Sequence, residues 1–226
     1  MPTIAFVSPK GGAGKTTSAL LLAQELSRAA PVTIVDADPN RPIKTWHDGG
    51  NAPENLRVVS DADEETIIDR VEEAQANTPF VVIDLEGTAA KIVLLAIAVA
   101  DFVVIPTQGS ELDAAQSARA IRAVRQQEKM SGRPKPFAVL LTRTSAAIMS
   151  RTMQHLQNSM AQAGIPMLAT TLVEREAFKA MFSFKQTLEG LSSTNVSGLD
   201  KARANAEAFT AEIIEELKKA KARSAA

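Results

Sequence analysis

The chain has 226 residues, 45% of them hydrophobic, and a net charge of −1; this is enough for one sizeable core and unlike the composition of a disordered or fibrous chain. Cysteine is absent, which excludes a disulfide scaffold, a thiolate metal centre and a cysteine nucleophile, and fits a reducing cytoplasm. The small net charge hides an asymmetry, because residues 1–118 hold 8 Lys+Arg against 17 Asp+Glu (−9) while residues 119–226 hold 17 against 9 (+8). In chain order, short β-branched runs alternate with longer stretches of helical period, the pattern of a parallel sheet covered by helices. Strands are predicted at 3–8, 32–37, 56–60, 80–85, 102–107, 137–142 and 167–172, and helices at 15–29, 64–76, 89–99, 111–130, 148–163, 174–182 and 199–221. Most of these strands lack apolar/polar alternation, as expected when both faces are buried. The expected architecture is a single α/β domain over residues 1–226, a mostly parallel twisted sheet with helices on both faces. No basic stretch leads into an apolar run at the start, so no export signal is expected. The most apolar stretch, IVLLAIAVA at 92–100, falls short of the roughly 20 residues that cross a bilayer.

Three strand ends carry the unusual residues. In open α/β sheets that carboxyl edge is where ligands bind. After the first strand comes SPKGGAGKTT at 8–17, a glycine-rich loop that opens a helix, which is the context of a phosphate site. Gly11, Gly12, Ala13 and Gly14 let backbone N–H groups turn toward phosphate oxygens, and the helix start adds its positive end. Lys15 would meet the β- and γ-phosphates, Thr16 would ligate Mg²⁺, and Thr17 follows one step along the helix. The second strand ends in Asp36 and Asp38, which share a face by the two-residue period. Asp38 before Pro39 is also a common turn and helix-start signal. The fourth strand, FVVIDL, ends its apolar run at Asp84, placed to contact Mg²⁺ through Thr16 or water. Glu86 is either a second water-positioning carboxylate or a surface residue, with the surface reading preferred.

Lys10 is one lysine more than a phosphate loop needs. The run KGGAGKTT resembles the deviant Walker A signature KGGxGKT[ST] of the ParA/MinD family, in which the first lysine is the distinguishing feature. This resemblance implies a P-loop ATPase whose two subunits sandwich two ATP molecules, with Lys10 reaching the nucleotide of the partner as an arginine finger would. DADPN at 36–40 resembles the family's DxDPQ switch segment, which implies that Asp38 orients the attacking water and Asp36 supports the Mg²⁺ shell; Asn40 stands where the family often has glutamine. Lys10, Lys15 and Asp38 are thus the catalytic candidates, and Thr16, Asp36 and Asp84 the metal candidates. The strand VVIPT resembles a family segment that brings Pro106 and Thr107 near the nucleotide, and LLTR the strand end where relatives hold adenine, which nominates Thr142 and Arg143. Short plasmid-partition and VirC-type conjugation ATPases are the branch most similar. The absence of cysteine and tyrosine sets aside nitrogenase-type iron proteins and bacterial tyrosine autokinases.

The resemblance further implies an ATP-dependent homodimer that binds DNA without sequence preference and positions a cargo, such as a plasmid, a conjugative complex or a protein cluster. An activating cargo or adaptor protein would stimulate an ATPase that is weak alone, and the protein would be cytoplasmic and nucleoid-associated with ATP. With the first strand at residue 3, no operator-binding helix-turn-helix domain is expected before it. Of the eight cations between Arg119 and Arg151, Arg119, Arg122 and Lys129 on an outward helix face are DNA candidates. LVEREAFKAMFSFK resembles a C-terminal family segment with DNA-contacting residues, which adds Arg175, Lys179 and Lys185. Two alternatives stay open. One is a MinD-like ATPase of the membrane surface, which the sequence EELKKAKARSAA at the C-terminal end disfavours because it lacks bulky apolar residues; the other is a metabolic ligase with a similar loop, such as the dethiobiotin synthetase group. Trp46 reads as packing, and His47 and His155 lack metal-ligand spacing.

Overall fold

The computed structural model describes residues 1–87, 90–145 and 151–224. Seven strands, β1 (Thr3–Phe6), β2 (Val32–Ala37), β3 (Leu56–Val59), β4 (Phe80–Leu85), β5 (Phe102–Thr107), β6 (Phe137–Thr144) and β7 (Leu172–Val173), form one sheet in the order β3-β2-β4-β1-β5-β6-β7. Every pairing is parallel. The crossovers are helical, so both faces of the sheet are covered.

The strand sequences look uniformly apolar because successive side chains feed two different cores. Ile4 and Phe6 of β1, Ile34 of β2 and Leu140 of β6 join one core. With them pack α1 (Lys15–Ser27), α2 (Pro42–His47), α7 (Glu176–Phe184) and α8 (Leu199–Ser224). Ala5, Val35, Ile83, Val103 and Val139 point the other way. They meet α3 (Ile67–Asn77), α4 (Ala90–Val99), α5 (Glu111–Ser131) and α6 (Arg151–Gln162). On α8 the apolar stripe Ala206, Phe209 and Ile213 is fully buried, and Phe209 meets Phe6 edge to face at 6.5 Å. Among the described residues no helix is long and apolar enough to cross a membrane.

The last strand is where the structure departs most from expectation. Instead of 167–172, only Leu172–Val173 pair with β6, with one isolated bridge from Met167 to Val139. The reason is that α8 takes the backbone donors a ladder would use. The Glu212 carboxylate accepts the N–H groups of Ala169 and Thr170 at 2.6 and 2.7 Å, and Asn205 accepts from Val173 and donates to the Thr171 carbonyl. The sheet edge is therefore covered rather than left open to another chain. The first helix ends at Ser27 and the α3 helix begins at Ile67, where Asp63 first accepts the N–H groups of Glu65 and Thr66 in a tight turn. Ala89 and residues 148–150, expected as helical, lie outside the described residues.

Candidate nucleotide site

Topology brings the sequence candidates to one place. β2, β4 and β1 are adjacent, and in register Asp36 lies beside Asp84 and Asp84 beside Phe6, whose strand runs on into the glycine loop. Within the loop Gly12 (φ 74°) and Gly14 (φ 98°) adopt left-handed conformations that side chains resist. At Gly14 a Cβ would also come within 3.2 Å of Thr142. Gly14 is the N-cap of α1 and no side chain caps that helix, which leaves its first-turn N–H groups for a ligand.

Lys15 and Lys10 are held in opposite ways. Lys15 is 7% exposed and its amine donates to the Lys10 carbonyl at 3.2 Å. Burial pulls its pKa below the ordinary lysine value, against the opposing charges of Asp84, Asp38 and Glu86. The Lys10 side chain, 37% exposed, leaves the loop altogether and forms an ion pair at 2.7 Å with Asp113 on α5. Asp113 is buried; it is the third residue of a capping box with Ser110, receiving the Ser110 N–H and hydroxyl. Burial works against its charge, yet the Lys10 ammonium and Ser110 hold its pKa below the usual carboxylate range.

The carboxylates on the other side are under-satisfied. Asp84 is fully buried and neither of its oxygens completes a hydrogen bond. Burial raises its pKa to about 7; the nearby Thr16 hydroxyl and Lys15 hold the rise down, and Asp36 and Asp38 add to it. Asp36, 1% exposed, accepts the Lys44 N–H at 2.9 Å through one oxygen while the other has no partner. Its pKa also rises, chiefly by burial. Asp38 is half-buried, and one of its oxygens accepts from the backbone and side-chain amide of Asn40 at 2.8 and 3.0 Å. The turn role and the proximity to Lys15 therefore coexist. Buried oxygens without partners cost free energy, and two carboxylates beside a threonine hydroxyl fit a Mg²⁺ ion that shares phosphate oxygens. Among the described residues no cluster of three His, Asp or Glu groups forms a metal site unaided.

Thr142 lies beneath the loop, its hydroxyl donating to the Ala13 carbonyl at 2.7 Å. Pro106 is buried within β5, opposite Leu140. Arg143, exposed and in a left-handed conformation (φ 51°), lies over Gly12. It lines a cleft of about 490 Å³ together with Gln108, Ser110, Asp113, Met153 and Glu174. Thr16 and Thr17 are half-buried at the start of α1. Glu86 is half-buried with its charge felt at Lys15. Gly87 beside it is so close to the loop that a Cβ would meet the Ser8 carbonyl at 2.7 Å.

The DNA candidates are not brought together. Arg119, Arg122 and Lys129 project from α5 on one face of the sheet, whereas Arg175, Lys179 and Lys185 belong to α7 and its caps on the other. Lys179 is engaged by Glu174 and Glu176. Lys185 is packed against Gly49, next to the buried Trp46 whose indole donates to the Gln186 carbonyl. Sequence reasoning missed Asp113 as the seat of Lys10. The spacing Ser110-x-x-Asp113 signals a helix cap, but nothing in it points to a partner 103 residues away.

A family model described as VirC1 protein matches residues 1–221. Protein ParA of Rhizobium radiobacter is 36% identical over 221 residues, covering 97% of this chain and 99% of the relative. Maintenance of carboxysome distribution protein A of Halothiobacillus neapolitanus is 29% identical over 179 residues, covering 78% of this chain and 82% of that protein. Among solved structures, the ATP complex of a Cyanothece McdA variant superposes with a TM-score of 0.73 at 18% identity, over 94% of this chain and 96% of the other.

Proposed function

The chain belongs to the VirC1 family of ParA-type proteins, and we propose that it is a positioning ATPase in which ATP and Mg²⁺ drive formation of a sandwich dimer. The observation that carries this reading is the division of labour between the two lysines of one loop: Lys15 is buried beside Asp84, and Lys10 is tied outward to α5. A loop that only had to hold its own nucleotide needs the first of these. The second, an ammonium at the rim, is available to neutralise charge on a phosphate presented by another subunit.

Within each subunit, Lys15 and the N–H groups of the loop would bind the β- and γ-phosphates. Thr16, Asp84 and Asp36 would hold Mg²⁺, which when bound neutralises phosphate charge. Asp38 would orient the water that attacks the γ-phosphorus, and Lys10 would leave Asp113 to complete the partner's site. Binding thus requires one ion pair to be exchanged for another, which couples dimerisation to nucleotide state. The dimer would bind duplex DNA non-specifically through exposed cations, and an adaptor or cargo protein would trigger hydrolysis and release. The buried stripe of α8 favours DNA over a membrane surface, since that stripe is committed to the core.

The direct test is Lys10→Ala. Nucleotide binding, followed by a fluorescent ATP analogue, should persist while the ATP-dependent dimer is lost in light scattering; a variant that dimerises as the wild type does would remove Lys10 from this role.

A further inference from the structure

Several cations elsewhere on the surface are compensated. Arg28 has Glu25, Glu189 and Glu207 within reach; Arg70 has Asp61 and Glu73; Lys91 has Glu64; and Lys218 and Lys219 have Glu215 and Glu216. On α5 four cations lie together on one face. Arg119, Arg122, Arg125 and Lys129 are all exposed, and among the described residues none of them enters an ion pair. Their steps of three and four residues keep them on one side of the helix. The nearest anion in sequence, Glu128, is turned to the backbone and accepts the Lys135 N–H at 2.8 Å. The flanking helices offer no relief either, since neither α4 (AKIVLLAIAV) nor α6 (RTMQHLQNSMAQ) contains an Asp or Glu.

We propose that this outward face of α5, and not the α7 region, is the surface that meets duplex DNA. The proposal rests on the DNA-binding reading above and narrows it to one element. Four uncompensated cations over ten residues span about 15 Å of helix, or about four phosphate steps of one strand laid along a duplex at 3.4 Å each. No aromatic residue lies on α5, which argues for phosphate contact without base stacking and hence for duplex over single strand. By contrast Lys179 sits between two glutamates and the charge of Lys185 is felt at Asp48, so neither is as free as the α5 cations.

The test measures ATP-dependent binding of a mixed-sequence duplex across a salt series. Wild type is set beside Arg122→Gln/Arg125→Gln/Lys129→Gln and beside Lys179→Gln/Lys185→Gln, with thermal melting to verify that each variant is folded. The α5 variant should lose about 0.9 in the slope of log K against log salt per cation removed, up to roughly 500-fold in affinity at 0.1 M salt, and the α7 variant should stay near wild type. If the α7 variant loses binding and the α5 variant does not, the assignment to α5 falls while DNA binding stands. If wild type ignores duplex with ATP, both fall. Equal, α5-dependent capture of poly-L-glutamate or of a single strand would overturn the duplex assignment alone.

Discussion

The two flanks of the glycine loop are built on opposite principles. On the β5–β6 flank four polar side chains have partners: Thr142 supports Ala13, Thr107 meets Ser117, Gln108 donates to the Gly12 carbonyl, and Asp113 gathers Ser110 and Lys10. On the β2–β4 flank Asp84 has two buried oxygens without a partner and Asp36 has one. Since each unsatisfied buried group costs free energy, the first flank is a finished scaffold and the second, on the proposed reading, is completed by a ligand. A satisfied network fixes where the loop sits. An unsatisfied one, on that reading, fixes where cation and phosphate go.

That contrast can be broken most severely at Asp84. Asp84→Asn is expected to lower ATP turnover by about 10²-fold or more, and at pH 8 to raise the melting temperature of the nucleotide-free protein, because a buried charge is removed. A fall in stability at pH 8 would show that the carboxylate is not strained in the free state. Lys15→Ala should be comparably damaging to nucleotide binding, as read by titration of a fluorescent ATP analogue.

The pH dependence sharpens the same point. The folded pKa of Asp84, about 7, lies above its unfolded value near 3.9, so between these values the folded state holds the extra proton. Stability of the free protein should therefore decline as pH rises from about 4 to 7, by a few kcal/mol at most. Denaturant melts at several pH values measure this, and Asp84→Asn should flatten the curve; a wild-type curve that rises over that window would contradict the origin assigned to the shift.

On the satisfied flank the effects on stability are smaller. Lys10→Ala removes one partner of a buried carboxylate that keeps its Ser110 bonds, at a cost of about 1–2 kcal/mol in a denaturation experiment. Asp113→Asn should retain the helix cap and weaken only the hold on Lys10. The expected result is a dimer that forms at a few-fold lower ATP concentration, followed by light scattering, with a stability change of about 1 kcal/mol. A higher ATP requirement would mean that Asp113 orients Lys10 for its partner.

Legibility followed the range of the interactions. The phosphate loop, Asp36 and Asp84 were readable because glycine conformation, a lysine and a carboxylate at the end of an apolar strand are local features. The strands of the sheet centre were equally plain. Beyond them, the 167–172 strand was misjudged because Glu212 on α8 competes for its donors. The cations were readable as a sum of charge and not as a surface, because only the packing shows that α5 and α7 cover opposite faces and that Lys179 is neutralised.

By itself the sequence determined a parallel α/β sheet and the chemistry available at its carboxyl edge, since both depend on residue type and spacing along a few turns of chain. Tertiary structure alone decided that Asp36 and Asp84 stand side by side with oxygens unpaired, that Lys10 rests on a carboxylate from another helix, and that the cations of α5 lack counter-charges among the described residues. These are matters of distance between segments far apart in sequence, and burial, which decides what an unpaired charge costs, exists only once the chain has folded.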